Sequence, residues 1–198
     1  MGKFDAKELL ENALNDTQID LGPLVAATAL WAAPEVHEYL VSQNGSGAWR
    51  PNVRRARSGE TRRTVVNEVL LDDNTLANKY LKVAIGVPGS KLVGFETCHI
   101  WPSTCYDSLD HTTIANLVLI PRALASLSDH SDSISAILKY RAFELYDWHP
   151  KNESAPERPD KYPDNWRKPF SYTERVQKSV KRRSWQQIGM HNKAIKSD

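Results

Sequence analysis

Two short apolar runs, residues 92–100 (LVGFETCHI) and 116–120 (NLVLI), stand on either side of a fifteen-residue, mostly polar stretch, 101–115. This spacing constrains the middle of the chain more than any other feature. Each run is short and holds β-branched or aromatic residues, which suits a strand. Pro121 follows the second run at once, and a proline with fixed φ suits the first positions of a helix. A β-hairpin with a long loop, leading into a helix, is therefore expected over residues 92–127.

The flanks read mainly as helix. Residues 6–15 place Leu9, Leu10 and Leu14 on one side of a helix. Residues 24–33, after Gly22-Pro23, are apolar on nearly every side, so a buried helix is expected, ended or kinked by Pro34. A further short helical turn covers 35–41, and Asn44-Gly45-Ser46-Gly47 reads as a loop. Residues 64–71 (TVVNEVLL) read as a strand, and 75–85 as a helix capped from Asp72-Asp73-Asn74 and closed by Gly86. Ser131 or Asp132 caps another helix running to about Trp148, with Ile134, Ile137, Leu138, Arg141 and Leu145 on one face. Pro150, Pro156, Pro159, Pro163 and Pro169 make 150–169 an extended wrap, and 172–185 reads as a basic helix. The fold class expected is α+β, in four stretches: a helical 1–45, an arginine-rich arm with strand and helix at 46–91, a hairpin core with its helix at 92–148, and a wrap with a basic extension at 149–198.

Composition excludes several classes of function. Hydrophobic residues make up 40% of the 198 and charged residues 25%, which is globular rather than disordered composition. No apolar run reaches the length of a membrane span. The opening residues, MGKFDAKELLENALND, are amphipathic and acidic, unlike a secretory or transit signal, so a cytoplasmic protein is expected. Cys98 and Cys105 are the only cysteines and cannot alone complete a zinc site, so they read as reduced thiols. The formal net charge is only +2, but it is unevenly spread. Arg50, Arg54, Arg55, Arg57, Arg62 and Arg63 face a single acid within their window, Glu60, and Lys178, Lys181, Arg182 and Arg183 cluster before Trp185. Such clusters bind phosphates by releasing counterions. Trp49 beside Arg50 and Trp185 beside Arg183 are placed to stack on bases, whereas Trp31 and Trp148 read as core.

Hydrolysis of a phosphodiester needs a base for the attacking water, positive charge at the phosphate, and a group that holds the base in place. Residues 96–130 offer such groups in one local unit: His99 near the end of the first strand, Asn116 at the opening of the second, and Asp129-His130 in the helical segment. The strings His99-Ile100-Trp101-Pro102 and Asn116-Leu117-Val118-Leu119-Ile120-Pro121 resemble the HNH, or ββα-metal, endonucleases over about 35 residues. The resemblance implies a ββα-metal centre embedded in a mostly helical chain, with His99 as general base and Asn116 as the residue that orients it and pins the loop. It also implies a divalent metal ion, with Mg²⁺ first and Mn²⁺, Ni²⁺ or Zn²⁺ as alternatives. The sequence departs from the family at two positions. Ala125 falls where the helix ligand usually stands, so His130, with Asp129 beside it, is taken as the metal ligand. Cys98 precedes the base where many members carry an Asp, with Glu96 as an outside candidate ligand.

The expected function is cleavage of DNA, double-stranded by preference with RNA as an alternative, in a restriction or defence role. A homodimer cutting both strands is compatible with it. The alternatives are a non-catalytic nucleic-acid-binding protein with a degenerate site, and a protein whose proline segment wraps another subunit. His111, inside the long loop, is expected to face solvent.

Overall fold

The structure is a computed structural model that describes residues 12–14 and 16–182, and its architecture is α+β. In chain order the elements are α1 (Gly22–Thr28), α2 (Pro34–Asn44), β1 (Val53–Arg55), β2 (Val65–Val66), β3 (Val69–Asp72), α3 (Thr75–Ile85), β4 (Phe95–His99), β5 (Leu117–Pro121), α4 (Arg122–Ala125), α5 (Leu127–His130) and α6 (Asp132–Tyr146). Single 3-10 turns cover Gly89–Lys91, Pro102–Tyr106 and Ile114–Asn116. Residues 174–182 are helical, as are 12–14, 16 and 17. The rest of the helix expected over 6–15 lies outside the described residues, as do Arg183 and Trp185.

β4 and β5 form an antiparallel ribbon in the centre of the chain, with Phe95 opposite Pro121 and His99 opposite Leu117. Leu117, Val118, Leu119 and Ile120 are all fully buried, because both faces of the ribbon are covered. Leu117 and Leu119 face one core with Val36 and Leu40 of α2, Leu81 and Ile85 of α3, and Val176 and Val180. Val118, Ile120, Cys98 and Ile100 face a second core with Val25 of α1, Ile134, Ile137, Leu138 and Ala142 of α6, and Trp31 and Trp101. Two-sided burial explains why 116–120 reads as a continuous apolar run rather than an alternating one. Each of these four side chains contributes roughly 2 kcal/mol by leaving water.

The helix expected over 24–33 stops at Thr28, and Ala29 turns to extended backbone (ψ 137°). The apolar residues beyond it serve a strand-like contact. Leu30 exchanges backbone hydrogen bonds with Leu119, 2.9 and 3.2 Å, extending the ribbon by one bridge. Pro34 opens α2 from its first turn rather than kinking a longer helix. The strand expected over 64–71 is a tight hairpin instead: β2 and β3 turn through Asn67 and Glu68, both at positive φ. The arginine arm supplies β1, which pairs in parallel with β3, Arg55 opposite Asp72. Helix α3 runs from Thr75 to Ile85 and ends at Gly86 with φ 74°, as expected. Ser131 caps α6 through the amide of Ile134.

The proline-rich segment wraps its own chain. The amide of Arg167 donates to the Ala26 carbonyl and that of Phe170 to the Trp31 carbonyl, both at 3.0 Å. Tyr162 and Trp166 pack on the second core. Trp49 is also core rather than a base-stacking surface. It is 2% exposed and lies flat on Tyr80, ring centres 5.2 Å apart. No helix among the described residues is long and apolar enough to cross a membrane.

Candidate active site

His99 ends β4 at the mouth of the long loop, and its ring is held from two sides. Its Nε2 stands 3.0 Å from the backbone carbonyl of His111, and its ring stacks on the His111 ring with centres 5.1 Å apart and planes 16° from parallel. A carbonyl only accepts, so Nε2 carries the hydrogen and the lone pair of the neutral ring lies on Nδ1. Burial lowers the His99 pKa to about 4, with the neighbouring His111 acting in the same direction. The ring is therefore neutral at physiological pH, in one tautomer. Nδ1 is not among the buried polar atoms left without a partner, and the residue keeps 7% of its surface exposed. The ring as a whole is thus nearly buried, and a small part of the residue reaches the surface.

The loop that carries the His111 carbonyl is fastened from several directions. Asn116 is fully buried. Its Oδ1 accepts from the Trp101 amide at 3.1 Å, and its Nδ2 donates to Thr104 Oγ1 at 2.7 Å and to the Asp110 carbonyl at 3.1 Å. Asn116 therefore ties both limbs of the loop together, while the bond that orients His99 comes from the His111 carbonyl and not from the Asn116 amide. Thr112 exchanges hydrogen bonds with the backbone of Arg50, 2.9 and 3.0 Å, and Ala48 bridges Thr113. His111 is fully buried, contrary to the solvent exposure expected of a loop residue. Its Nε2 donates to Asp72 Oδ2 at 3.1 Å, and its Nδ1 has no partner.

The side chains at the positions where the HNH resemblance implies metal ligands are of mixed kind. Cys98 points into the second core and donates weakly to the Ala125 carbonyl at 3.8 Å. Burial pushes its thiol up to about 11, aided by the charges of Asp129 and Glu96, so it stays protonated and is a poor ligand. Ala125 is a buried apolar contact. Asp129 and His130 end the short helix α5, and both are exposed. Asp129 lies within electrostatic reach of Cys98 and Cys105. Among the described residues no three His, Cys, Asp or Glu side chains gather into a potential metal site. Cys98 and Ala125, at the two positions where the resemblance implies ligands, do not fit a divalent ion.

The arginine arm divides into structural and available charges. Arg54 forms a two-pronged pair with Glu60, 2.6 and 2.7 Å, which occupies its guanidinium. Arg63 lies 3.6 Å from Asp73. Arg50 is half-buried and its backbone holds Thr112, while Arg62 is exposed on the way into the β2–β3 hairpin. Arg57 sits over the Tyr106 ring at 5.8 Å. Arg55 is exposed at the end of β1, and its charge is felt by both the His99 ring and the Cys105 thiol. Burial raises the Cys105 pKa, and Arg55 opposes that rise. Lys181 and Arg182 are exposed on the C-terminal helix, whose Val176 packs over Gly86. That is the far end of α3 from Asp72, a helix length of about 16 Å away.

The sequence pattern singles out His99 and Asn116, but it does not reveal the contacts that Asp72 and Thr104 make here or the burial of His111. Thr104 and His111 lay in plain view inside the loop, with a polar side chain as their only signal. Asp72 is 39 residues from the ring it holds, and nothing local points to it. Comparison with protein-family models, curated proteins and solved structures finds no match for this chain.

Proposed function

We propose that this chain cleaves phosphodiester bonds of nucleic acid, as a nuclease built on the hairpin-and-helix frame of the HNH enzymes, with His99 as general base. One observation carries the reading: the His111 carbonyl takes the Nε2 hydrogen of a neutral imidazole, which puts the basic lone pair on Nδ1. A base must be neutral before the reaction and held against rotation, which the Nε2 bond supports, while a pKa of about 4 makes this ring a weaker base than a free imidazole. Asn116 supports the reading by closing the loop from which that carbonyl projects. Arg55, whose charge reaches His99, is the group to meet negative charge on the phosphate. Arg57 and Arg62 add exposed positive charge along the same arm. The preferred substrate is double-stranded DNA, on the family likeness alone.

Incubation of supercoiled plasmid with the protein, with chelator and separately with Mg²⁺, Mn²⁺ or Ni²⁺, tests the proposal. The expected result is nicking by the wild type and its loss in His99→Gln, with Arg55→Ala reduced and Arg54→Ala closer to wild type in cleavage. A second reading, a nucleic-acid-binding protein that does not cut, is favoured by the apolar Ala125 and the protonated Cys98 at the family's metal positions. Its signature is salt-dependent retention of plasmid that stays intact in every ion.

A further inference from the structure

The nuclease reading makes His99 the base and leaves unexplained why a second histidine and a carboxylate are buried beneath it. We propose that Asp72 and His111 form a clamp that positions His99, a role that rests on the reading of His99 as the general base. His111 touches His99 twice. Its ring lies against the His99 ring, and its backbone carbonyl fixes the Nε2 hydrogen. Whatever holds His111 therefore sets both the plane and the tautomer of His99.

Asp72 is well placed to do so, because it is itself anchored before it meets His111. It ends β3, its backbone carbonyl accepts from the Ala56 amide of the neighbouring strand, and its Oδ2 accepts from the Leu76 amide at 3.0 Å at the start of α3. The same oxygen receives His111 Nε2 at 3.1 Å. A carboxylate held at a strand–helix junction is a rigid post, and its bond stops the His111 ring from rotating. The burial of His111 with an unpartnered Nδ1 argues against simple space filling, since an apolar side chain would occupy that volume without leaving a polar atom unpaired. The same pair links the site to a different part of the chain. The post belongs to the β1–β3 sheet, which also carries Arg55 directly opposite Asp72. One junction thus sets the base and the nearest arginine relative to each other.

The test reads the tautomer directly and does not depend on turnover. Long-range ¹H–¹⁵N correlation spectra of the full-length chain near pH 7 report which nitrogen of each imidazole carries the hydrogen, with His99 assigned by its absence in His99→Gln. Wild-type His99 is expected in the Nε2–H form. Asp72→Asn keeps an oxygen at the post and is expected to keep that form. His111→Phe keeps a ring in the stack but loses the bond to Asp72. It is expected to show averaged His99 nitrogen shifts and plasmid nicking reduced about 10²-fold, the scale of a misplaced catalytic group. Asp72→Ala, read against Asp72→Asn, gives the same comparison without altering the loop. A folded His111→Phe or Asp72→Ala protein whose His99 stays wholly in the Nε2–H form overturns the clamp. If the tautomer moves as expected but no form of the protein nicks DNA, the clamp stands and the nuclease reading falls. If the wild type nicks DNA and the tautomer never moves, the reverse holds.

Discussion

Replacing Asn116 with alanine removes three hydrogen bonds from a fully buried side chain, and the structure allows the cost to be worked group by group. The Trp101 amide belongs to a residue 2% exposed, and losing its acceptor strands a buried donor at about 1–3 kcal/mol. The Asp110 carbonyl belongs to a half-buried residue, so water repays most of its loss. Thr104 keeps its 2.6 Å bond to the Trp101 carbonyl and loses only the bond it accepts. The void left by the carboxamide adds roughly 1 kcal/mol. The sum is about 2 to 4 kcal/mol, a large share of the 5–15 kcal/mol typical of a whole domain.

Urea denaturation followed by tryptophan fluorescence measures this. With a slope of about 2–3 kcal/mol per molar, the midpoint should fall by roughly 1 M with the slope unchanged. Asn116→Asp sharpens the test. It keeps the acceptor for Trp101 but turns a carboxylate oxygen towards the Asp110 carbonyl, which cannot donate, and towards Thr104 Oγ1, whose hydrogen already goes to the Trp101 carbonyl. Its stability should be poor at pH 7 and recover as the pH falls and the carboxyl takes up a proton. A midpoint shift in Asn116→Ala below about 0.3 M would mean that the loop closes without this side chain. The account of Asn116 as its fastener would then be wrong.

Gly47 has φ +70° and its pro-Cβ position lies 2.2 Å from His37 Cε1, so Gly47→Ala should cost about 3 kcal/mol or more; much of that should return when His37→Ala is combined with it. Tyr146 is buried and donates to the Ala32 carbonyl at 2.9 Å, so Tyr146→Phe should lower stability by about 1–2 kcal/mol in the same denaturation assay. Burial lowers both His37 and His99 to about 4 from 6.5; the unfolded chain then binds more protons, and their contribution is complete above about pH 6.5 and lost as pH falls towards 4, up to about 3 kcal/mol for each ring. Asp110, raised to about 6 by burial and by Asp107, acts in the opposite sense, so the diagnostic measurement is a flatter stability–pH curve between 6.5 and 4 in His37→Gln than in wild type.

Much of the frame was legible in local sequence because its signals are local. The run 116–120 is short and apolar, Gly86 takes the left-handed conformation that ends a helix, and Ser131 has an amide to cap three residues on. Reading 24–33 as one helix failed because an all-apolar stretch looks the same whether it is a buried helix or an extended segment between two cores. What decided the matter was Leu119, 89 residues away, whose backbone needed the partner that Leu30 supplies. The strand read over 64–71 failed for a related reason, since Asn67 and Glu68 both adopt positive φ and only Asn is a familiar signal for it.

Charge was the least legible property, and the arginine arm shows why. Counted along the sequence, six arginines meet one acid. In the folded chain Glu60 takes both prongs of Arg54, and Asp73, ten residues beyond the window, approaches Arg63. A linear window counts formal charges, whereas a phosphate meets only guanidiniums that no carboxylate already holds. The same geometry singles out Arg55. It is opposite Asp72 in register, yet that carboxylate is occupied by His111 and the α3 amide, so it is Arg55 whose charge remains to reach the His99 ring. If the arm binds nucleic acid in this way, the salt dependence of binding should weaken on Arg55→Ala by about one counterion and change little on Arg54→Ala. Equal slopes for the two variants would mean that the pairing with Glu60 does not persist in solution.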